Sequence, residues 1–182
     1  MLDYIELLER WNATYNLTAV RDPAQMVTRH LLDSLAVGPH VIGESVADLG
    51  SGAGLPGVPL AITQPHRHFL LVEANGKKAR FLREVVRRLA LDNTRVVEAR
   101  AESTSSSQPV SCVVARALAS LADLTRLAGH WLAPGGQLLA MKGPGHADEL
   151  HGLSSAWQLV TVHKIAVPGL DGGRFLVVLR KT

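Results

Sequence analysis

Residues 46–57 read Val46-Ala47-Asp48-Leu49-Gly50-Ser51-Gly52-Ala53-Gly54-Leu55-Pro56-Gly57. The apolar start has the character of a buried strand. The glycines at 50, 52, 54 and 57 mark a tight turn, and Pro56 suits the first turn of a following helix. Glycine tolerates positive φ and lets the backbone approach a ligand closely, while a helix N-terminus offers unpaired N–H groups. In a strand–turn–helix context this is a cradle for a nucleotide-type cofactor, and that context weighs against the simpler reading of an empty glycine-rich turn.

Outward from this turn, short apolar runs alternate with helical stretches: SVADLG, HFLLVE, TRVVEA, VSCVVARA and GGQLLAMKG. Such runs separated by helices indicate buried parallel strands covered on both faces. The intervening helices are expected at 55–63, 76–90, 101–105 and 119–132. The chain then changes character. WQLVTVHKIAVPG and GRFLVVLRK read as two strands joined through Leu170-Asp171-Gly172-Gly173, a C-terminal antiparallel hairpin. Ahead of the core, Leu2, Ile5, Leu8, Trp11 and Tyr15 recur at helical spacing over 2–17. Asp22-Pro23 caps a second helix whose inner stripe is Met26, Val27, His30, Leu31 and Leu35. The expected class is α/β: one domain spanning 1–182, with a helical extension at 1–40 and a Rossmann-like core at 44–182. Ser103 to Gln108 is the only low-complexity stretch and reads as a loop.

Gly52 to Gly57 also fits GxGxxG, so a dinucleotide fold competes. Glu73, ending the next strand about twenty residues on, can accept ribose hydroxyls in either case. Asp48 discriminates. S-adenosylmethionine carries a sulfonium and an ammonium and no pyrophosphate, so an acid beside the loop attracts it, whereas the same acid repels a pyrophosphate. Parallel strands closed by an antiparallel hairpin are the layout of the class I S-adenosylmethionine-dependent methyltransferase variant of the Rossmann fold. No segment offers a separate substrate domain for a dehydrogenase.

The 182 residues and 19.5 kDa suit one compact domain, with 47% apolar residues for its core. The formal charge is only +3 although the pI is near 9.4, so an anion-binding surface must be local. A single cysteine, Cys112, cannot form an internal disulfide or a thiolate metal cage, and this fits a reducing cytoplasm. The start MLDYIELLERW lacks the pattern of a signal peptide, and no apolar run approaches the ~20 residues of a membrane span. The eight histidines include His66-Arg67-His68 but no HExxH spacing, so no metal is expected. A cytoplasmic monomer is the expectation.

The positive charge concentrates in the 76–90 helix, where Lys77, Lys78, Arg80, Arg83, Arg87 and Arg88 face Glu84. A charge run is usually a solvated face. More telling are Arg100, Arg116, Lys142 and Arg174, which sit at or just after strand ends, where open parallel sheets bind ligands. There they suit the phosphates of a polyanion, although an arginine such as Arg116 often just pairs with a nearby acid.

WNATYNLTAVRDPAQMVTRHLLDSL, VADLGSGAGLPGVPLA, GKKARFL, VVARALASL, MKG and PGLDGGRFLVVLRK together closely resemble the bacterial ribosomal RNA small-subunit methyltransferase G family, also known as glucose-inhibited division protein B. The resemblance runs from about Trp11 to the C-terminus. It implies methylation of guanine N7 in the decoding-region loop of 16S ribosomal RNA, alone or in the small ribosomal subunit, with S-adenosyl-L-methionine as donor and S-adenosyl-L-homocysteine as product. Carried over by position, Asp48, Gly50, Ser51, Gly52, Gly54, Leu55, Glu73, Ala101, Glu102 and Arg116 hold the cofactor. Lys77, Lys78, Arg80, Arg100, Lys142 and Arg174 meet the RNA, and Arg116 and Lys142 position the reacting base. Asn16, Arg29, His30 and Asp33 fall in the family's N-terminal signature, with no role legible from sequence. The chain starts close to that signature, so an upstream helical segment common in the family is expected to be missing or short. Ala115 stands for a commoner serine, Leu118 for a phenylalanine and Lys78 for an arginine. Guanine N7 carries no proton, so no general base is expected.

Overall fold

The computed structural model describes residues 1–104, 108–170 and 172–182. Helix α1 (Leu2–Tyr15) opens the chain and ends at Asn16 in a left-handed conformation, φ 50°. Its inner face is rotated from the expected stripe. Tyr4, Ile5, Leu7, Leu8 and Asn12 are buried, whereas Leu2 is 71% and Tyr15 37% exposed. Asn12 takes the inner position because its side chain organises the next loop, accepting from the Thr18 amide at 2.9 Å and donating to the Val20 carbonyl at 3.2 Å.

Asp22 caps the following helix by accepting from the Ala24 amide at 3.1 Å. The expected continuous α-helix is interrupted. α2 (Pro23–Met26) passes into a π-helical turn (Val27–Leu32) and then α3 (Asp33–Leu35). The wider turn, with the Asp33 amide reaching the Thr28 carbonyl, changes which side chains face inward, and Asp33 and Ser34 become buried beside His30 and Leu31.

The core is a seven-stranded sheet in the order β3-β2-β1-β4-β5-β7-β6. β1 (Ser45–Leu49), β2 (His68–Glu73), β3 (Thr94–Glu98), β4 (Val110–Arg116) and β5 (Leu132–Lys142) run parallel. β7 (Arg174–Lys181) pairs antiparallel with both β5 and β6 (Trp157–Ile165), giving the hairpin. Asp171 of the connecting turn lies outside the described residues. Side chains alternate across the sheet. Ala47, Leu49, Val113, Ala115, Leu138 and Ala140 join one core, with Trp131 and helix α6 (Leu121–Gly129). Val46, Cys112, Val114 and Leu139 join another, with Val37 and helix α4 (Gly57–Thr63). Helix α5 (Gly76–Arg88) packs with α1 through Phe81, Leu82 and Val85 in a third cluster. A short α7 (His146–Glu149) follows β5.

Two helical expectations are corrected. Residues 101–104 form a turn and bend, not a helix, because the Ala101 carbonyl is taken by the Trp131 indole at 3.1 Å; Ser105 lies outside the described residues, as does the centre of the 103–108 loop. The 119–132 helix is shorter, since Ser120 caps it by accepting from the Asp123 amide and β5 already begins at Leu132.

The N-terminal helices are part of the fold's support. The buried Tyr4 hydroxyl donates to the Ala53 carbonyl, inside the glycine turn, at 2.6 Å. Tyr4→Phe keeps the ring and removes the donor from a buried carbonyl. It should destabilise the protein by about 1–3 kcal/mol, read as a lower urea midpoint with an unchanged slope.

Candidate functional site: a glycine cradle and an adjoining charged cavity

The carboxyl ends of β1, β2, β4 and β5 carry the candidate site. Two carboxylates fix the glycine turn. Asp48, fully buried, accepts from the Gly57 amide at the start of α4 at 2.9 Å, while its other oxygen makes no hydrogen bond. Glu73 accepts from the Gly52 amide and from the Asn75 amide, each at 2.8 Å. Asn75 in turn caps α5, accepting from Lys77 and Lys78 amides. Glu73 is therefore no solvated strand end: it ties the middle of the turn to the next helix. The Gly50 and Ser51 amides donate to the Val72 carbonyl, which closes the turn against β2.

The glycines divide by need. Gly50, Gly52 and Gly54 all have positive φ, at 69°, 57° and 90°. At Gly57 a Cβ would collide with Leu71 and the Asp48 carboxylate, so this glycine serves close helix–strand packing. At Gly52 the nearest atom to an added Cβ would be the Gly50 carbonyl at 3.7 Å, which leaves the turn open there to a ligand. Gly50 is instead covered by the Leu118 side chain, at the tip of the loop after β4. Ser51 and Leu55 face inward: Ser51 donates to the Asp48 carbonyl at 2.9 Å, and Leu55 lies in the core with Tyr4 and Val58. Ala101 is buried and Glu102 exposed. Glu102 and Leu118 line a cavity of about 430 Å³ with Asp123 and Arg126.

A larger cavity, about 520 Å³, lies beside this turn over the ends of β4, β5 and β7, where the N-terminal helices close it. Its charged lining is Arg29, His30, Asp33, Arg116, Lys142 and Arg174. Arg116 donates to the Arg29 carbonyl and to the Asp33 carboxylate, both at 3.1 Å. The other Asp33 oxygen stands 3.5 Å from the Arg174 guanidinium. One buried carboxylate thus holds two strand-end arginines, and the pairing was invisible in the sequence because 83 residues separate Asp33 from Arg116. His30 meets the Thr18 hydroxyl at 2.8 Å, and burial holds its imidazole below the usual range. Lys142 is bound at 2.7 Å to both the Ala119 carbonyl and Glu149, which also accepts from the Leu121 amide.

The other basic residues of α5 and its surroundings separate by pairing. Arg83 is bound by Glu98, and Arg87 and Arg88 by Glu84; Arg100 stands 3.7 Å from Glu102 at the exposed surface. Lys77, Lys78 and Arg80 make no ion pair among the described residues. Those residues also contain no group of three or more metal-ligating side chains, and no helix is long and apolar enough to cross a membrane.

The strand order, the antiparallel β7 and a glycine turn at the end of β1 define a class I methyltransferase fold. Solved structures agree: TrmN from Thermus thermophilus superposes with a TM-score of 0.62 at 21% identity over 82% of this chain and 47% of that one. TYW2 from M. jannaschii, solved in complex with AdoMet, gives 0.61 at 16% identity over 82% and 75%. The particular family follows from sequence. The family model for rRNA small subunit methyltransferase G (GidB) matches residues 1–177, and the chain belongs to that family. Ribosomal RNA small subunit methyltransferase G of Xanthomonas campestris pv. campestris (strain 8004) is 56% identical over 181 residues, covering 100% of this chain and 85% of the relative. The Stenotrophomonas maltophilia (strain K279a) protein of the same name is 55% identical over 98% of this chain and 84% of its own length.

Burial pushes the Asp48 carboxyl up to about 7, even though the Gly57 amide and the Arg116 charge favour ionisation. The folded protein keeps a proton that the unfolded chain releases near pH 4, so stability should fall as pH rises from about 4 to about 7. Asp48→Asn should flatten that fall. Urea unfolding of both proteins at several pH values would check it, with the variant gaining on the parent as pH rises.

Proposed function

We propose that this chain transfers a methyl group from S-adenosyl-L-methionine to N7 of a guanine in the decoding-region loop of 16S ribosomal RNA. The observation that carries this reading is the charged cavity at the sheet's carboxyl edge, beside the open glycine turn, in a chain of this family. The donor's electrophilic sulfonium methyl is what the bound cofactor supplies.

The chain's residues then hold and orient. Gly50, Gly52 and Gly54 give backbone access, and Glu73 keeps lone pairs for ribose hydroxyls beyond those occupied by Gly52 and Asn75. Ala101 and Glu102 flank the adenine end. Asp48 acts from beneath as a buried carboxyl that steadies the turn, and a bound cationic donor favours its ionised form. Ser51 and Leu55 contribute through the shape of the turn. Leu118 must move off Gly50 to admit the donor. Arg116 and Lys142 position the acceptor base; Arg174 and Arg100 meet its backbone, with Lys77, Lys78 and Arg80 extending the basic surface. Methyl transfer needs alignment of nucleophile and leaving group more than proton transfer, so no general base is assigned. Cys112 is buried within β4 and its thiol is pushed up to about 12, which removes it as a nucleophile. The setting is the cytoplasm, and one copy of the chain suffices to line the cavity.

The direct test is mass spectrometry of 16S RNA from a strain lacking the protein, which should be missing one guanine methyl; unchanged RNA would sink the assignment. Binding to a 16S fragment should weaken with salt at a log–log slope of roughly −0.7 per phosphate contacted, and replacing Lys77, Lys78 and Arg80 together by alanine should make the slope shallower by about 2. A salt-independent affinity would point to a small-molecule acceptor instead.

A further inference from the structure

We infer that the 520 Å³ cavity receives the acceptor purine and that Phe175 is the surface on which that base stacks. This rests on the reading that the acceptor is a base in RNA. In an A-form RNA helix the N7 edge lies in a deep, narrow major groove that side chains cannot enter, so the base has to leave its neighbours, and the protein must offer a substitute stack. The cavity contains the parts. It straddles the sheet edge between β4, β5 and β7. On one side stand Arg116 and Arg174, held by Asp33; on the other stand Lys142 and Phe175, which are direct cross-strand partners.

Phe175 is prepared for such a role on two counts. The His146 ring packs against it with centroids 4.1 Å apart and planes 30° apart, which supports the phenyl ring from α7. Gly173 leaves room beside it: a Cβ there would lie 2.7 Å from the Phe175 ring. Phe175 is only partly buried, so a strand residue at the mouth of a cavity keeps aromatic surface uncovered. A half-buried aromatic ring amid strand-end cations matches a base and its phosphates together.

Lys142 sets the direction in which the base lies. Two of its three N–H donors are taken by the Ala119 carbonyl and Glu149. The remaining donor can meet guanine O6, next to N7, without occupying the N7 lone pair. Adenine presents an amino group at the equivalent position and would be disfavoured there.

The test pairs Phe175→Leu with Phe175→Tyr, using a 16S fragment as substrate and S-adenosylmethionine binding by calorimetry as control. The leucine variant should lose roughly 5- to 150-fold in kcat/KM, the range set by base–aromatic stacking, with unchanged donor affinity. Tyrosine should restore near-parental turnover. A fragment carrying 2-aminopurine next to the target guanine should change fluorescence, as the guanine leaves the stack, on binding the parent and Phe175→Tyr, and not on binding Phe175→Leu. If Phe175→Leu fails to fold, His146→Ala carries the test: loss of the supporting ring should lower RNA turnover several-fold with donor affinity intact. Parental turnover and an unchanged fluorescence response in Phe175→Leu, or in His146→Ala where that variant stands in, would overturn the stacking role alone. A parent protein inactive both on the fragment and on small ribosomal subunits from a strain lacking the protein would overturn the underlying reading, and this inference with it.

Discussion

A carboxylate buried at the end of β1 governs the geometry of the sheet's carboxyl edge. Asp48 has no solvent to stabilise its charge, and the Gly57 amide at the start of α4 is its hydrogen-bond donor. That bond requires residue 57 to approach closely, which only glycine allows, since a Cβ there would strike Leu71 and the carboxylate itself. The turn between residues 48 and 57 is therefore pinned at both ends. Glu73 pins its middle through Gly52, and the Asn75 cap transmits that anchor to α5. A loop held at three points by buried or nearly buried groups presents its backbone to a ligand with little left to order on binding, which is the energetic use of preorganisation.

The N-terminal segment completes this frame from two directions. Tyr4 reaches the Ala53 carbonyl within the turn, and Asp33 reaches Arg116 and Arg174 across the adjoining cavity. Both contacts join residues near the start of the chain to the carboxyl edge of the sheet. A buried carboxylate between two guanidiniums offsets much of its own desolvation cost, and it also fixes where those cations stand. The π-helical turn makes this possible: an uninterrupted α-helix would carry the residues after Leu32 round by a different angle. What the sequence suggested was an extension is structurally a wall of the site.

Much of the fold was legible because its signals are local. VADLGSGAGLPG announced strand, turn and helix; the apolar runs announced the parallel strands; Leu170 to Gly173 announced the hairpin. Family resemblance carried the function further than residue chemistry alone could. The misses are long-range or period-breaking. Helical spacing placed Leu2 and Tyr15 inside α1, but packing against the glycine turn selected Tyr4 and Leu7. Over residues 101–104 the expected helix gives way to a turn, where a tertiary partner, Trp131, claims the Ala101 carbonyl. Asp33 had no visible role, since nothing local reveals a partner beyond the opposite end of β4. Glu149 had no signal either, yet it decides how much of Lys142 is free.

The same logic explains how a chain of formal charge +3 acquires a strongly basic edge. The net charge says little, because what matters is which cations the acids leave unpaired. Glu84 and Glu98 neutralise the later arginines of α5, and Asp123 takes Arg126 on α6. Lys77, Lys78 and Arg80, at the opening turns of α5, make no ion pair among the described residues. Asp33 and Glu149 do not erase the strand-end cations so much as immobilise them: one carboxylate serves Arg116 and Arg174 together, and Lys142 keeps a donor after Glu149 and Ala119 are satisfied. Flexible cations would bind any polyanion at some entropic cost. Cations fixed around a cavity favour an anion that also fits the cavity, so their placement, more than the net charge, sets what this edge can bind.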